Sequence, residues 1–246
     1  MRDHVHGIQG EWNYRRCENR RCGLVWLDPP ILESDLPLLF AEYFTHRRSG
    51  RAGGGRRARW ARRVRDGYVR MRFGPHHEPI RRSAKLFGAL AYLFPIRRMR
   101  LEAEYAYLRS GPEGAGRLLE IGCGHGERLQ RLASCGWSAS GVDFDALAVD
   151  TCRQHGLDVR LGRLEDQRFD PESFDAIVLN HVIEHVADPV RLLEECVRVA
   201  RPGARLVMVT PNAGGALHRV FGRFWRGLEA PRHLRVFSGP NLTHMS

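Results

Sequence analysis

The sequence predicts an α/β protein built on a parallel sheet with helices on both faces. From residue 117 onward, short apolar runs typical of strands alternate with segments whose apolar residues recur at helical spacing. Such alternation favours a parallel sheet, because a crossover between parallel strands usually contains a helix. The run from Phe174 to Asn180 is almost entirely apolar, as expected of a strand covered on both faces.

The elements of this region follow one another in a regular order. Pro189 suits the first turn of the last helix, and Arg201-Pro202-Gly203 is expected to end it. Helices are predicted over 127–135, 146–155 and 188–200, and strands over 118–121, 140–143, 159–161, 174–180 and 206–210.

The first hundred residues carry the positive charge of the chain. Of the 246 residues, 39 are Lys or Arg and 28 are Asp or Glu, which gives a net charge of +11. Residues 1–100 hold 22 of the basic and 9 of the acidic residues. Such a segment can bind nucleic acid, an anionic membrane or an anionic ligand. Since Lys85 is the one lysine, a coding bias toward Arg explains the excess better than a nucleic-acid surface does.

This basic segment is predicted to be mainly helical over 45–110. Its Gly- and Arg-rich start is expected to be a loop, and aromatic and aliphatic residues recur at helical spacing from Arg56 to Arg72. A second helical stretch over 84–108 is interrupted by Pro95. Its apolar centre is flanked by Arg pairs, so residues 81–100 either contact a membrane surface peripherally or cover the core of the next domain.

The chain shows no sign of export. No apolar run approaches the ~20 residues that cross a bilayer, and the N-terminus lacks an apolar signal core. We therefore expect a cytoplasmic protein. Six cysteines in a chain of this length do not form a dense disulfide pattern.

A glycine-rich turn between the first strand and the first helix of the alternating region carries the chemistry. The glycines Gly122, Gly124 and Gly126 allow a sharp turn and the close approach of a ligand. Asp143 ends the next strand, about 20 residues on, where a carboxylate can bind both ribose hydroxyls. Dinucleotide enzymes use G-x-G-x-x-G instead, and Glu120 would repel a pyrophosphate. An acid there suits a cofactor with a sulfonium and an amino group.

Four motifs in order resemble those of class I S-adenosylmethionine-dependent methyltransferases. They are Glu120–Gly126, Gly141–Asp143, Ser173–Val186 and Leu192–Pro211. The resemblance covers 117–240, and Pro231–Ser238 is similar to the small-molecule enzymes related to quinone biosynthesis. It implies a Rossmann-like sheet whose family form has two further strands. The residues after Ser238 are too few for those strands, so we expect this domain, over 111–246, to lack them.

The resemblance also implies a set of cofactor-binding residues. Glu120 and the turn Gly122–Gly126, Cys123 included, would hold the methionine moiety, and Asp143 would hold the ribose. Arg163 stands where related enzymes often have an acid, so the adenine contact departs from their pattern. The remaining residues would meet the adenine (Phe144, Leu164, Glu165) or face cofactor and substrate after the fourth strand (Asn180, His181).

The acceptor and the catalytic groups are less defined by the sequence. Methyl transfer needs mainly proximity and alignment, and a general base acts only where the acceptor must lose a proton. His181, His185 and His233 are the candidate bases, with packing or capping as the alternative role of each. Asp175 is expected to stabilise the entrance of its strand.

The N-terminal segment, over 1–44, resembles part of a zinc ribbon. Cys17 and Cys22 precede a short apolar strand that ends in Pro-Pro. Tetrahedral structural zinc needs four ligands, and only His4 and His6 could complete the set nearby. The spacing of the two cysteines is also wider than usual, so bound zinc is not favoured.

The function predicted is methyl transfer from S-adenosylmethionine to an oxygen, nitrogen or carbon atom of a small molecule. Two alternatives stay open. The basic segment would suit a nucleic-acid methyltransferase, although no base-handling motif accompanies it. The expected lack of the last two strands would suit a degenerate protein that binds the cofactor without catalysis.

Overall fold

The computed structural model describes residues 10–19, 21–40, 55–74, 80–109 and 116–245. The strands are β1 (Asn13–Arg16), β2 (Val25–Asp28), β3 (Arg117–Ile121), β4 (Ser138–Asp143), β5 (Asp158–Leu161), β6 (Phe174–Asn180), β7 (Ala200–Val209) and β8 (Arg235–Val236). The helices are α1 (Arg56–Phe73), α2 (Arg82–Ala89), α3 (Pro95–Glu104), α4 (Glu127–Ala133), α5 (Ala146–Gln154), α6 (Pro189–Val199), α7 (Ala216–Phe221) and α8 (Gly239–Met245).

The alternating region forms one five-stranded sheet in the order β5-β4-β3-β6-β7, which confirms the predicted α/β class. β4 pairs in parallel with both β3 and β5. The last strand begins earlier than predicted, at Ala200 instead of 206. Asp175 accepts two hydrogen bonds from Nη1 of Arg201, at 2.9 and 2.8 Å, and a third from the Arg117 amide at 2.8 Å. These bonds hold the starts of three strands together.

The described residues fall into two compact units. One comprises the described parts of Arg47–Val178 and Val199–Val207. Its core is the apolar face that the helical and strand patterns predict: Leu118, Leu129, Leu132, Val149, Ala176 and Val178 are buried together. α1 adds its own apolar stripe to this core through Val64, Tyr68 and Phe73.

Within this unit, α1 and α2 cross at very close range. A methyl group on Gly67 would lie 2.5 Å from the carbonyl oxygen of Ala84, and one on Gly88 would lie 2.7 Å from the Gly67 carbonyl oxygen. Glycines are therefore required at the crossing. The predicted helical stretch is confirmed but divided, because a 3-10 turn follows α2 and Pro95 begins α3.

The other unit comprises the described parts of Met1–His46, Leu179–Arg198 and Met208–Ser246. β1 and β2 form an antiparallel hairpin, and β2 also pairs with β8, with Val25 opposite Val236. The hydroxyl oxygen of Tyr14 lies 2.6 Å from the Leu228 carbonyl oxygen and 2.7 Å from that of His233. The N-terminal strands thus share a sheet with the C-terminal segment; the predicted boundaries near residues 44 and 110 stay predictions.

None of the helices in the described ranges combines the length and apolarity that crossing a bilayer requires.

Candidate functional site

The glycine turn follows β3 in a conformation that favours glycine. Gly122, Gly124 and Gly126 have φ of 67°, 51° and 74°, in the left-handed region. At Gly126 a methyl group would also lie 2.3 Å from Cδ1 of Leu157 and 2.9 Å from Sγ of Cys152. The side chains of Leu157 and Cys152 therefore cover the backbone at Gly126, whereas Gly122 and Gly124 are half-exposed, so a ligand could approach the backbone there.

Asp143, at the end of β4, faces this turn. Its Oδ2 accepts a hydrogen bond from the Gly124 amide at 2.7 Å, and its Oδ1 accepts one from the Asp145 amide at 2.9 Å. Burial raises the pKa of this carboxyl, although both amides act to lower it. Each oxygen retains a lone pair for a further donor, such as a ribose hydroxyl.

Glu120 lies beneath the turn and is 1% exposed. Its Oε1 accepts from Nη1 of Arg128 at 2.8 Å, while its Oε2 is buried without a hydrogen-bond partner. Burial raises the pKa of Glu120 to about 7, against the opposing effect of Arg128. An unpartnered acceptor at this place fits a ligand that brings a donor group, as the amino group of a methionine moiety would.

The other predicted cofactor residues of this unit differ in exposure. The Phe144 ring is 57% exposed, as a stacking partner for an adenine would be, whereas Leu164 is buried. Leu164 and Glu165 form a 3-10 turn shortly after β5. Cys123 is buried, and burial raises the pKa of its thiol, which disfavours the reactive thiolate form.

A second group of polar residues follows β6, where the chain leaves the strand at Asn180. His181 has a φ of 55° and its amide donates to the Val209 carbonyl at 2.8 Å. Its Nδ1 lies 3.0 Å from Oε1 of Glu184, and the imidazole is 51% exposed while the carboxylate is 0% exposed. Such strain at a non-glycine residue is common at functional sites.

Glu184, which the sequence analysis did not single out, is a further candidate for this site. Burial acts to raise its pKa, but the hydrogen bond from His181 and the neighbouring His185 outweigh burial and lower the pKa. The carboxyl is therefore ionised, and its Oε2 has no hydrogen-bond partner. The available signal was the His-x-x-Glu spacing after a strand, which brings the two side chains together only because a 3-10 turn follows.

His185 and His233 pack near this carboxylate, with ring centroids 4.8 Å apart. Nδ1 of His185 donates to the Arg232 carbonyl at 3.0 Å, and Nδ1 of His233 donates to that of Gly227 at 2.8 Å. Burial lowers the pKa of His185 to about 4. These contacts agree with a packing role for both.

The same three residues, Glu184, His185 and His233, are the group within the described ranges that could hold a metal ion. One potential ligand atom from each lies within 4.8 Å of the others. This spread is wider than the roughly 3–3.5 Å that separates ligand atoms about 2 Å from one zinc ion. A metal would therefore need the side chains to move closer together.

The two N-terminal cysteines belong to the β1–β2 hairpin. The Cys17 amide donates to the Leu24 carbonyl at 2.9 Å, and Sγ of Cys22 accepts from Nδ2 of Asn241 at 3.6 Å. His4 and His6, the other ligands considered, lie outside the described residues. A zinc site at Cys17 and Cys22 stays a prediction that is not favoured.

These features define a class of protein: an α/β fold with the glycine turn and strand-end carboxylate of an S-adenosylmethionine-binding domain. The model of a protein family described as a methyltransferase domain matches residues 82–246, which are two thirds of the chain. The chain therefore belongs to this methyltransferase-domain family, whose membership implies S-adenosylmethionine as the cofactor. This agrees with the resemblance seen in the four motifs.

Curated relatives share the central part of the chain. The ubiquinone biosynthesis O-methyltransferase of Xylella fastidiosa strain 9a5c is 33% identical over 108 residues, which cover 41% of this chain and 44% of the relative. The enzyme of the same name from Hahella chejuensis is 35% identical over 103 residues, covering 39% and 43%. The matched region thus spans less than half the length of these relatives.

The fold is also found in solved structures. The YcgJ protein of Bacillus subtilis superimposes with a TM-score of 0.50 at 20% sequence identity, covering 60% of this chain and 66% of that one. At this identity the likeness shows the fold alone.

Proposed function

We propose that this chain methylates a hydroxyl group of a small-molecule acceptor, with S-adenosylmethionine as the methyl donor and His181 as the general base. Family membership supports the cofactor. The names of the curated relatives support an oxygen acceptor. The observation that carries the proposal is the 3.0 Å contact between Nδ1 of the exposed His181 and the buried carboxylate of Glu184.

In this proposal the residues after β3 and β4 hold the cofactor. Asp143 accepts from the ribose hydroxyls, and Oε2 of Glu120, which is buried without a partner, accepts from the amino group. When bound, the cofactor would supply a methyl group on a sulfonium, an activated group that an acceptor oxygen can take up as the neutral thioether leaves. Binding and alignment therefore provide most of the rate enhancement.

His181 removes the proton that the acceptor hydroxyl must lose. The Glu184 carboxylate can only accept, so Nδ1 of the imidazole carries the proton that lies between them. In the neutral ring the lone pair is then on Nε2, and the ring is half exposed. Nε2 takes the hydroxyl proton as the oxygen–methyl bond forms and the methyl–sulfur bond breaks. A positioned base of this kind contributes about 10²–10⁴-fold to the rate.

Glu184 acts as a positioning residue for this base. It fixes the tautomer of His181 and stabilises the imidazolium that forms. His185 is half-buried and His233 is buried, and Nδ1 of each of these two candidate bases donates to a backbone carbonyl. We assign them to packing beneath the site.

The test compares His181→Ala and Glu184→Gln with the wild-type chain. His155→Ala is the matched control, because His155 is an exposed imidazole on a helix end with its Nδ1 at a carbonyl. Binding of S-adenosylhomocysteine and of NAD is measured by calorimetry. Transfer of labelled methyl is measured across pH with panels of phenols, aliphatic alcohols and amines, and with bulk tRNA.

We expect His181→Ala to lower kcat by about 10²–10⁴-fold with an unchanged Kd for S-adenosylhomocysteine. Glu184→Gln should move the acid limb of the pH profile to lower pH, because an imidazole without a carboxylate partner holds its proton less strongly. Full activity of His181→Ala would overturn the assignment of the base. Binding of NAD alone, transfer only to amines or tRNA, or cofactor binding without any transfer would overturn the proposed function.

A further inference from the structure

A ridge of apolar side chains is exposed where α2 turns into α3. Leu86, Tyr92, Leu93, Ile96 and Met99 are between 54% and 71% exposed, all within one stretch of 14 residues. Isolated apolar side chains are common on protein surfaces, but five of them within one short segment are unusual and suit a surface that binds a partner. We refer to residues 86–99 as the apolar ridge.

The ridge is fixed in place from its other side. Gly88 and Ala91 are buried in the same stretch, Gly88 at the close crossing with Gly67 of α1. The hydroxyl of Tyr68 donates to the carboxylate of Glu102, which ties α1 to α3. One face of residues 81–100 thus packs on the core, as one of the two sequence-based interpretations predicts, and the other face is exposed.

Cationic side chains frame the ridge. The guanidinium of Arg97 lies 5.8 Å from the ring centre of Phe94, that of Arg98 lies 4.8 Å from Tyr92, and that of Arg63 on α1 lies 6.0 Å from Phe87. Residues 56–104 hold 14 Lys and Arg against 4 Asp and Glu. Trp60 of α1 adds an exposed indole, edge-on to Phe94 with 6.4 Å between the ring centroids.

We propose that the apolar ridge docks on the surface of an anionic phospholipid bilayer, with Leu93 and Ile96 entering the acyl region and the surrounding Arg side chains on the headgroups. Protein segments that bind at membrane interfaces typically combine aliphatic side chains that insert, flanking cationic side chains, and an aromatic residue at the boundary. A second copy of the chain would bring the same positive charge to the contact. A nucleic acid would leave the aliphatic side chains without an apolar partner.

The experiment is sedimentation of the full chain with phospholipid vesicles at physiological salt. The vesicles are pure phosphatidylcholine or contain about a third phosphatidylglycerol. The apolar variant is Leu93→Ser with Ile96→Ser, and the charge variant is Arg97→Gln with Arg100→Gln. The matched control is Val190→Ser with Val197→Ser, which removes two exposed aliphatic side chains of α6. Because all of these side chains are exposed, the variants should fold, and circular dichroism checks this.

We expect the wild-type chain and the control to sediment with the anionic vesicles and not with the neutral ones. The apolar variant should bind at least about tenfold more weakly, since each aliphatic side chain that leaves water strengthens binding by about this factor. The charge variant should lose several-fold in affinity for the anionic vesicles, and high salt should weaken the binding of the wild-type chain to them. The proposal is overturned if the wild-type chain does not sediment with anionic vesicles, or if the apolar variant binds them as tightly as the wild type does. It is also overturned if that variant only converts a dimer to a monomer. None of these outcomes depends on methyl transfer by His181.

Discussion

Two glycines with the same backbone conformation separate the effect of backbone strain from that of crowding. Gly126 has φ 74° and Gly156 has φ 75°. A methyl group on Gly156 would meet nothing within 4 Å, whereas one on Gly126 would lie 2.3 Å from Leu157 and 2.9 Å from Cys152. Gly156→Ala should therefore lower the free energy of unfolding by about 1 kcal/mol, the net cost of a left-handed alanine. Gly126→Ala adds about 1–3 kcal/mol of overpacking, about 2–4 in all.

Urea unfolding of the two variants, followed by circular dichroism, measures this difference. In a Leu157→Ala background, Gly126→Ala should cost less than it does in the wild type, so that part of this loss is recovered, because the nearest atom of the clash is gone. Gly126→Ala should also weaken binding of S-adenosylhomocysteine by about tenfold, equal to about 1.4 kcal/mol, while Gly156→Ala leaves it unchanged. Equal destabilisation by the two alanines, or no recovery in the double variant, would refute the reasoning from crowding.

Two further predictions concern the pH dependence of stability. Glu120 has a pKa of about 7 in the folded chain against 4.5 in the unfolded chain. The folded chain therefore binds a proton that the unfolded chain has lost, and its stability falls as pH rises between these two values. Glu120→Gln should remove this part of the pH dependence in unfolding titrations, and an unchanged slope would count against the prediction. The pKa of Asp175 is lowered from 3.8, because bonds from Arg201 and the Arg117 amide outweigh burial. Its stabilisation is present above pH 3.8 and lost as pH falls through the lowered value. Asp175→Asn should cost about 0.5–1 kcal/mol at neutral pH and nothing in strong acid, whereas a loss that persists in acid would contradict the ion pair.

The sheet and the glycine turn were predictable because their signals are local. The central strands are short apolar runs, and β3, β4 and β6 are each followed by a helix whose apolar residues recur at helical spacing. The glycines and Asp143 occupy fixed positions relative to these strands. The approach of Asp143 to the Gly124 amide therefore follows once the two strands pair in parallel.

The second group of polar residues was less predictable, because its contacts join distant parts of the chain. His185 meets the Arg232 carbonyl 47 residues away, and Tyr14 reaches the His233 carbonyl across 219 residues. No periodicity encodes such pairs. The role of Glu184 depends on a 3-10 turn three residues long, which the sequence around it does not distinguish from a loop.

The family match begins at residue 82, yet β8 has its neighbour in β2, which lies far ahead of that point. A recombinant fragment trimmed to the matched region would leave β8 without a strand to pair with and the carbonyls of Leu228 and His233 without the Tyr14 hydroxyl. An expression boundary for this protein should therefore be placed ahead of β1, so that the contacts of β1 and β2 with the C-terminal segment are retained.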